Sequence, residues 1–441
     1  MTEKTQQILA LNAFDGTSTA ALAPDVAVLV ERRRRSFGAT SVLFYEEPLH
    51  VVTGRGTRLI TADGTACLDL YNNVPSVGHC HPRVVAAVQD QVARLNIHTR
   101  YLFDVVHDYA EKLLATFPAP LDKAIFTCTG SESNDFALRL ARLATGGMGV
   151  VVTETAYHGN TTAVTEVSPS SYKHGRPPAH VRTVPAPHPS NYGADVAGGF
   201  AAAVEAAIDA MAADGIAVAA LLCDSIFSSD GVYADPPGFL AAAVDRVRAR
   251  GGLFIADEVQ PGFGRTGAGM WGFARHGVVP DVVTMGKPMG NGLPIAGVVT
   301  RADLLERFAG EFGYFNTFGG NPVASAAALA VLDVIAEEGL VANAARVGGR
   351  LAGELRTLSK ARPAIGEVRG AGLYLGVDIV DPATGAADPA AATRLINQLR
   401  ARRVLIGAAG PLGHVLKIRS PLCLSDADVD LFLEALADCP F

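Results

Sequence analysis

Charge is scarce in this chain. Only 18% of its 441 residues are Asp, Glu, Lys or Arg, and the balance is -7. A nucleic-acid binder gathers Lys and Arg into basic patches, so nucleic acid is not an expected partner. Long apolar runs are also missing. Those present are strand-sized or broken by charge, and no membrane span is expected. Residues 1–9 are polar with one Lys, without the basic start and apolar stretch of a signal peptide. Cysteine is sparse and scattered, at Cys67, Cys80, Cys128, Cys223, Cys423 and Cys439, with no CxxC pair. That usage points to reduced thiols in a cytoplasmic protein. No fixed-period repeat is present.

What the chain does have is apolar residues, at 49%, and enough length for two domains around a large core. Its middle alternates strand and helix. Apolar runs at 124–127, 150–153, 217–223 and 253–256 read as buried strands. Helical patterns at 135–143, 201–213 and 238–250 separate them. Such units imply an α/β fold, a mainly parallel sheet with helices on both faces. After Asn321-Pro322 a long alanine-rich helix runs to about Glu338, and the last hundred or so residues mix helices with short strands such as 373–378. Segments 51–53 and 57–60 read as antiparallel strands joining that second, smaller α+β domain. The expected division is 1–70 as a segment joining the small domain, 71–325 as the large cofactor-binding domain, and 326–441 as the small domain.

Two basic or metal-like clusters carry little. The run Glu31-Arg32-Arg33-Arg34-Arg35 reads as a solvated helix end, because no other basic cluster lies near it. The pair His79 and His81 lacks further ligands at loop spacing, so no metal is expected.

The chemistry gathers around Lys287, in Thr284-Met-Gly-Lys287-Pro-Met-Gly-Asn-Gly, just past an apolar run that reads as a strand. Thirty residues upstream another strand ends in Asp257-Glu258-Val259-Gln260. Strand ends of an open sheet are where α/β proteins bind cofactors. An amine and a carboxylate there suit pyridoxal phosphate. The lysine forms the Schiff base, and the aspartate holds the pyridine nitrogen protonated. Lys287 sits in an otherwise uncharged, Gly/Pro-rich stretch, which favours the neutral amine that a nucleophile needs. Upstream, Thr129-Gly130-Ser131-Glu132-Ser133-Asn134 joins a strand to a helix, where bare N–H groups and the helix dipole attract a phosphate. Alone it could be an ordinary helix cap. Tyr157 could stack on a flat ring, or simply fill a core.

Taken in order, these motifs resemble the class III (ω) aminotransferases of the type I pyridoxal-phosphate fold. Gly78-His-Cys-His-Pro82, Gly130-Ser131-Glu132, Tyr157-His158-Gly159, Asp257-Glu258-Val259-Gln260, Gly262-Phe-Gly-Arg-Thr-Gly267, Thr284-Met-Gly-Lys287 and Asn316-Thr317-Phe-Gly-Gly-Asn-Pro322 all stand in the family's sequence. The resemblance implies a homodimer, with pairing into a tetramer left open. It implies Lys287 as the Schiff-base lysine and Asp257 as the pyridine-nitrogen partner. Gly130 and Ser131 would hold the cofactor phosphate. Tyr157 would stack on the ring, with His158 beside it, and Gln260 would reach the ring oxygen. Thr317 would reach the phosphate in the other subunit.

Two departures from the family pattern narrow the activity. Members that bind an α-carboxylate carry Arg where this chain has Lys417, in Leu416-Lys417-Ile418-Arg419-Ser420-Pro421-Leu422. Their gating Glu is replaced here by Ser229. Arg grips a carboxylate as a planar fork, and Lys cannot. Both departures, and Asn96-Ile-His-Thr-Arg100-Tyr101-Leu102, resemble the phospholyase branch acting on O-phosphoethanolamine and similar amino-alcohol phosphates. Arg100, Lys417 and Arg419 are the candidate ligands of the substrate phosphate. The expected function is elimination of phosphate and ammonia to give an aldehyde. The alternative is an ω-amine aminotransferase using a keto-acid acceptor. A non-catalytic binding role would not need the Lys287/Asp257 pair.

Overall fold

The computed structural model describes residues 11–16, 22–38 and 42–440. Its centre is a seven-stranded sheet. From edge to edge the strands are Lys123–Thr127, Ala296–Thr300, Val282–Met285, Leu253–Asp257, Val218–Cys223, Gly149–Thr153 and Val181–Val184. All neighbours run parallel except Ala296–Thr300, which is antiparallel to both of its partners. The interior strands are apolar throughout and buried on both faces, as a helix-covered parallel sheet requires. The two strands without a place in the sequence reading, Val181–Val184 and Ala296–Thr300, are short and look like loop extensions in one dimension.

Helices cover the sheet. Gly130–Thr145 packs on its central strands. Val196–Ala213, with Leu240–Ala249 beside it, turns Phe200, Val204, Ile208 and Met211 inward. Val196–Ala213 is the one helix among the described residues long and apolar enough to cross a membrane. Alanine accounts for much of that hydropathy, and its large apolar side chains pack into the core.

Two four-stranded sheets stand apart from this core. Val51–Arg55, Arg58–Thr61 and Ala66–Asp69 form an antiparallel run closed by Val404–Leu405 in parallel. The second orders Ile365–Ala371, Tyr374–Ile379, Val415–Ile418 and Gly407–Ala409. The expected boundary at residue 325 falls inside the helix Pro322–Glu337. That helix is buried along most of its length and packs on Pro82–Val92 and Asp104–Leu114, so it belongs with the preceding half of the chain.

The metal-like histidines are held by carboxylates. His79 pairs with Asp69 at 2.7 Å and His81 with Glu338 at 3.0 Å. The arginine run lies on the helix Pro24–Phe37, where Arg34 pairs with Glu31.

Candidate active site

The parallel strands deliver their carboxyl ends to one edge of the sheet. Asp257 is the last residue of its strand, Asp224 follows Cys223, Lys287 lies two residues past Met285, and Tyr157 four past Thr153. Gly130 opens the helix after Lys123–Thr127. All five line one cavity, together with Ser131, His158 and Gln260.

Asp257 forms its floor and is 4% exposed. Its Oδ2 accepts from Asn134 Nδ2 at 3.1 Å and from His158 Nδ1 at 2.7 Å, and its Oδ1 accepts from the Val259 N–H at 3.1 Å. Asn134 is fixed in turn, donating to the His158 carbonyl at 2.8 Å and accepting from Thr284 Oγ1 at 2.8 Å. A buried carboxylate needs such donors to stay where it is. The sequence reading named Asn134 only as the end of the strand-to-helix turn and gave it no role. Only the fold shows that it points at Asp257.

The phosphate-like turn is built by a capping box. Thr129 Oγ1 accepts from the Glu132 N–H at 3.2 Å, while Glu132 Oε2 accepts from the Cys128 and Thr129 N–H groups at 2.6 and 3.1 Å. The first free N–H groups of Gly130–Thr145 therefore face the cavity mouth. Glycines keep this cradle open. A Cβ on Gly130 would lie 2.9 Å from Val259 Cγ2. One on Gly159, whose φ is +146°, would lie 2.5 Å from Ser131 Oγ. That hydroxyl accepts from the Asn160 N–H at 3.1 Å.

Lys287 has its ammonium destabilised. Burial comes first and the Arg419 charge second, and together they bring its pKa down to about 8 against the support of Asp257 and Asp224. The amine is thus poised near neutrality, as a nucleophile and base requires.

A second cavity adjoins the first and shares Tyr157, Gln260 and Lys287 with it. Its walls include Ser229, Lys417, Arg419, Tyr71 and Phe44. Gln260 stands between the two. Its Oε1 accepts from Arg419, from Tyr374 Oη at 2.9 Å and from Asn73 Nδ2 at 3.4 Å, and its Nε2 donates to Ser228 Oγ at 2.8 Å. Arg419 also stacks on Tyr71, with the guanidinium 4.4 Å from the ring centroid. Lys417 is 6% exposed and forms no ion pair among the described residues.

Two expected site residues lie elsewhere in the single chain. Thr317 is exposed, on a loop held by Asn316, whose Oδ1 accepts from the Phe318 and Gly319 N–H groups. Arg100 is exposed too, with its guanidinium 3.9 Å over the Phe315 ring. Neither lines the cavities around Lys287.

Residues 44–439 match the model of the aminotransferase class-III family. The chain belongs to that family. It is therefore a pyridoxal-phosphate-dependent enzyme, and the α/β type I fold described above is the family's. It is similar to a solved phospholyase from Arthrobacter in complex with phosphoethanolamine, with 43% identity and a TM-score of 0.90 over 93% of this chain and 100% of that one. It is 40% identical to the alanine–glyoxylate aminotransferase 2-like protein of Drosophila melanogaster, over 93% of this chain and 86% of that one. It is 37% identical to the ethanolamine-phosphate phospho-lyase homolog 1 of Caenorhabditis elegans, over 91% and 90%.

The cavity suits the cofactor. It combines a glycine cradle at a helix start, an aromatic wall, a buried carboxylate and an amine of lowered pKa within one enclosure.

Proposed function

We propose that this enzyme eliminates phosphate and ammonia from O-phosphoethanolamine or a similar amino-alcohol phosphate, leaving an aldehyde. One observation carries the reading. The cavity that Lys287 lines also presents the amine Lys417 and the small hydroxyl Ser229, at the two positions where the family pattern places a carboxylate-reading Arg/Glu pair. Arg419, the remaining guanidinium, is already engaged by Gln260 and Tyr71. A keto acid finds no open planar fork there. A phosphate accepts point charges and hydroxyls from several directions.

Pyridoxal phosphate, when bound, supplies an electrophilic carbon for the substrate amine and a ring that accepts the electrons of a breaking C–H bond. The protein does the rest. Gly130, Ser131 and the start of the Gly130–Thr145 helix would hold the cofactor phosphate. Tyr157 would cover the ring, Gln260 would face its oxygen, and Asp257 would keep the pyridine nitrogen protonated. His158 and Asn134 would hold that carboxylate in place. Lys287 would carry the cofactor, yield it to the substrate amine, and then take the proton from the carbon bearing nitrogen. Lys417 would hold the substrate phosphate as its bond to carbon breaks.

A homodimer would complete the site. Tyr101, Leu102, Phe312, Phe315 and Phe318 are exposed on the two segments that carry Arg100 and Thr317, and contact between His98 and Phe315 joins those segments into one apolar face. Thr317 and Arg100 on that face would then serve the partner's cavity.

The test is incubation of the holoenzyme with phosphoethanolamine and no keto acid. Phosphate and acetaldehyde should appear in equal amounts. Rapid amine transfer to pyruvate with no phosphate released would overturn the reading in favour of an aminotransferase. The similarity to the Drosophila protein makes that comparison the necessary control.

A further inference from the structure

Lys417 occupies an unusual slot. On its strand, Val415–Ile418, it pairs with Gly376 on one side and Gly407 on the other. Directly opposed residues share a face of the sheet, so both neighbours on Lys417's face lack a side chain. Neither could carry one. A Cβ on Gly407 would collide with the Tyr71 ring, and one on Gly376 would lie 2.9 Å from the Gly231 carbonyl oxygen. The long lysine therefore lies between two bare backbones and lines the same cavity as Lys287.

The groups around it are mixed. Arg419 comes from the same chain segment, and Lys287 from across the cavity. Asp224 and Asp230 come from the loop after Val218–Cys223, and the Tyr374 ring, with its centroid 5.8 Å from Nζ, from the adjacent strand. Asp230 is already bound by the Thr153 and Thr155 hydroxyls, and Asp224 by Ser228. Neither carboxylate reaches Lys417 as an ion pair, so burial and the two cations dominate and hold its pKa well below the usual lysine range. An amine in this state holds its proton weakly once no anion is paired with it.

Breaking the C–O bond of a phosphate monoester dianion sends the electron pair to oxygen. The departing group would be a trianion unless a proton reaches it. Resting on the phospholyase reading, we propose that Lys417 is the general acid of the elimination. Its ammonium binds the substrate phosphate and gives its proton to the oxygen that leaves carbon. The products are then hydrogen phosphate and a neutral Lys417 amine, which burial favours. The amine regains a proton from solvent before the next turnover.

The experiment compares the holoenzyme with Lys417→Arg and Lys417→Met on two substrates. Phosphoethanolamine needs the proton. Ethanolamine O-sulfate does not, because sulfate leaves as a stable dianion. Lys417→Arg keeps the charge but cannot release a proton near neutrality. It should therefore keep KM within a few-fold and lose kcat for phosphate by roughly a hundredfold. Lys417→Arg, which keeps the charge, should release sulfate in the first turnover within a few-fold of the wild-type rate, which also reports an intact fold, whereas Lys417→Met, which loses the charge, should raise KM for both substrates. With the wild type, kcat/KM for phosphoethanolamine should fall as pH rises through the lowered pKa of the free enzyme's Lys417, and Lys417→Arg should lack that limb. Equal losses on both substrates, or a Lys417→Arg enzyme with normal kcat for phosphate, would overturn the general-acid role and leave the phospholyase reading intact. A wild type that releases no phosphate would overturn both.

Discussion

At the residue scale the site is a set of groups whose ordinary behaviour has been altered by burial. Lys287 is the plainest case. Its pKa of about 8 means that the neutral fraction rises about tenfold per pH unit below that value and levels above it. Recombination of the cofactor with cofactor-free protein should follow the same curve, rising from pH 6 to about 8 and then flattening. A stopped-flow absorbance series measures this. A rate independent of pH across that window would show that the amine is not the limiting group. Asn134 makes a complementary prediction. It donates to Asp257 at 3.1 Å and to the His158 carbonyl at 2.8 Å, and Thr284 Oγ1 holds it from behind. Asn134→Ala should cost turnover about ten- to a hundredfold, the worth of a hydrogen bond to a buried charge. A full-speed Asn134→Ala enzyme would mean that Asp257 is held by His158 and Val259 alone. Asp257 and Lys287 were legible in the sequence because each ends or follows an apolar run. Asn134 was not, because its meaning depends on a partner 123 positions away.

At the scale of elements, the helix Gly130–Thr145 does two jobs with one cap. Thr129 and Glu132 satisfy each other's backbone donors, and the Gly130 and Ser131 that follow line the cavity. Thr129→Ala should lower stability by about 1 kcal/mol and weaken cofactor binding severalfold. Calorimetric unfolding and equilibrium dialysis read the two effects separately. Loss of stability with unchanged cofactor affinity would reduce the turn to an ordinary cap. Gly159→Ala probes the same cradle from the facing loop. A methyl group there meets Ser131 Oγ and adds strain at φ +146°, so cofactor affinity should drop by tenfold or more while the distant helices remain folded. The strand–helix alternation that builds this cradle was readable from apolar runs and turn residues. The Gly376–Lys417–Gly407 alignment was not. Those residues lie on three strands whose register is set by long-range pairing, and no local pattern announces which residues will face one another.

At the scale of the whole molecule, one chain holds nearly all of the site and leaves a face unaccounted for. Leu102 is 92% exposed, Phe318 67% and Tyr101 62%, on segments that pack together through His98, Arg100 and Phe315. Monomers rarely leave such side chains grouped in water. If the proposed two-fold dimer forms on this face, each Thr317 is proposed to serve the partner's cavity, and by the two-fold symmetry both sites are completed in the same way. The consequence is testable by complementation. Lys287→Ala destroys the amine, and Thr317→Asp sets a carboxylate against the cofactor phosphate, so each homodimer should be inactive. In a hybrid, one site combines Lys287 from one subunit with Thr317 from the other and is intact, while the second site carries both defects. Random exchange makes about half of the dimers hybrid, so the mixture should regain about a quarter of wild-type activity. Recovery should follow the rate of subunit exchange measured by labelled subunits. A mixture that stays inactive while hybrids demonstrably form would place Thr317 in its own chain's service, and full activity in a monomer would remove the shared site altogether.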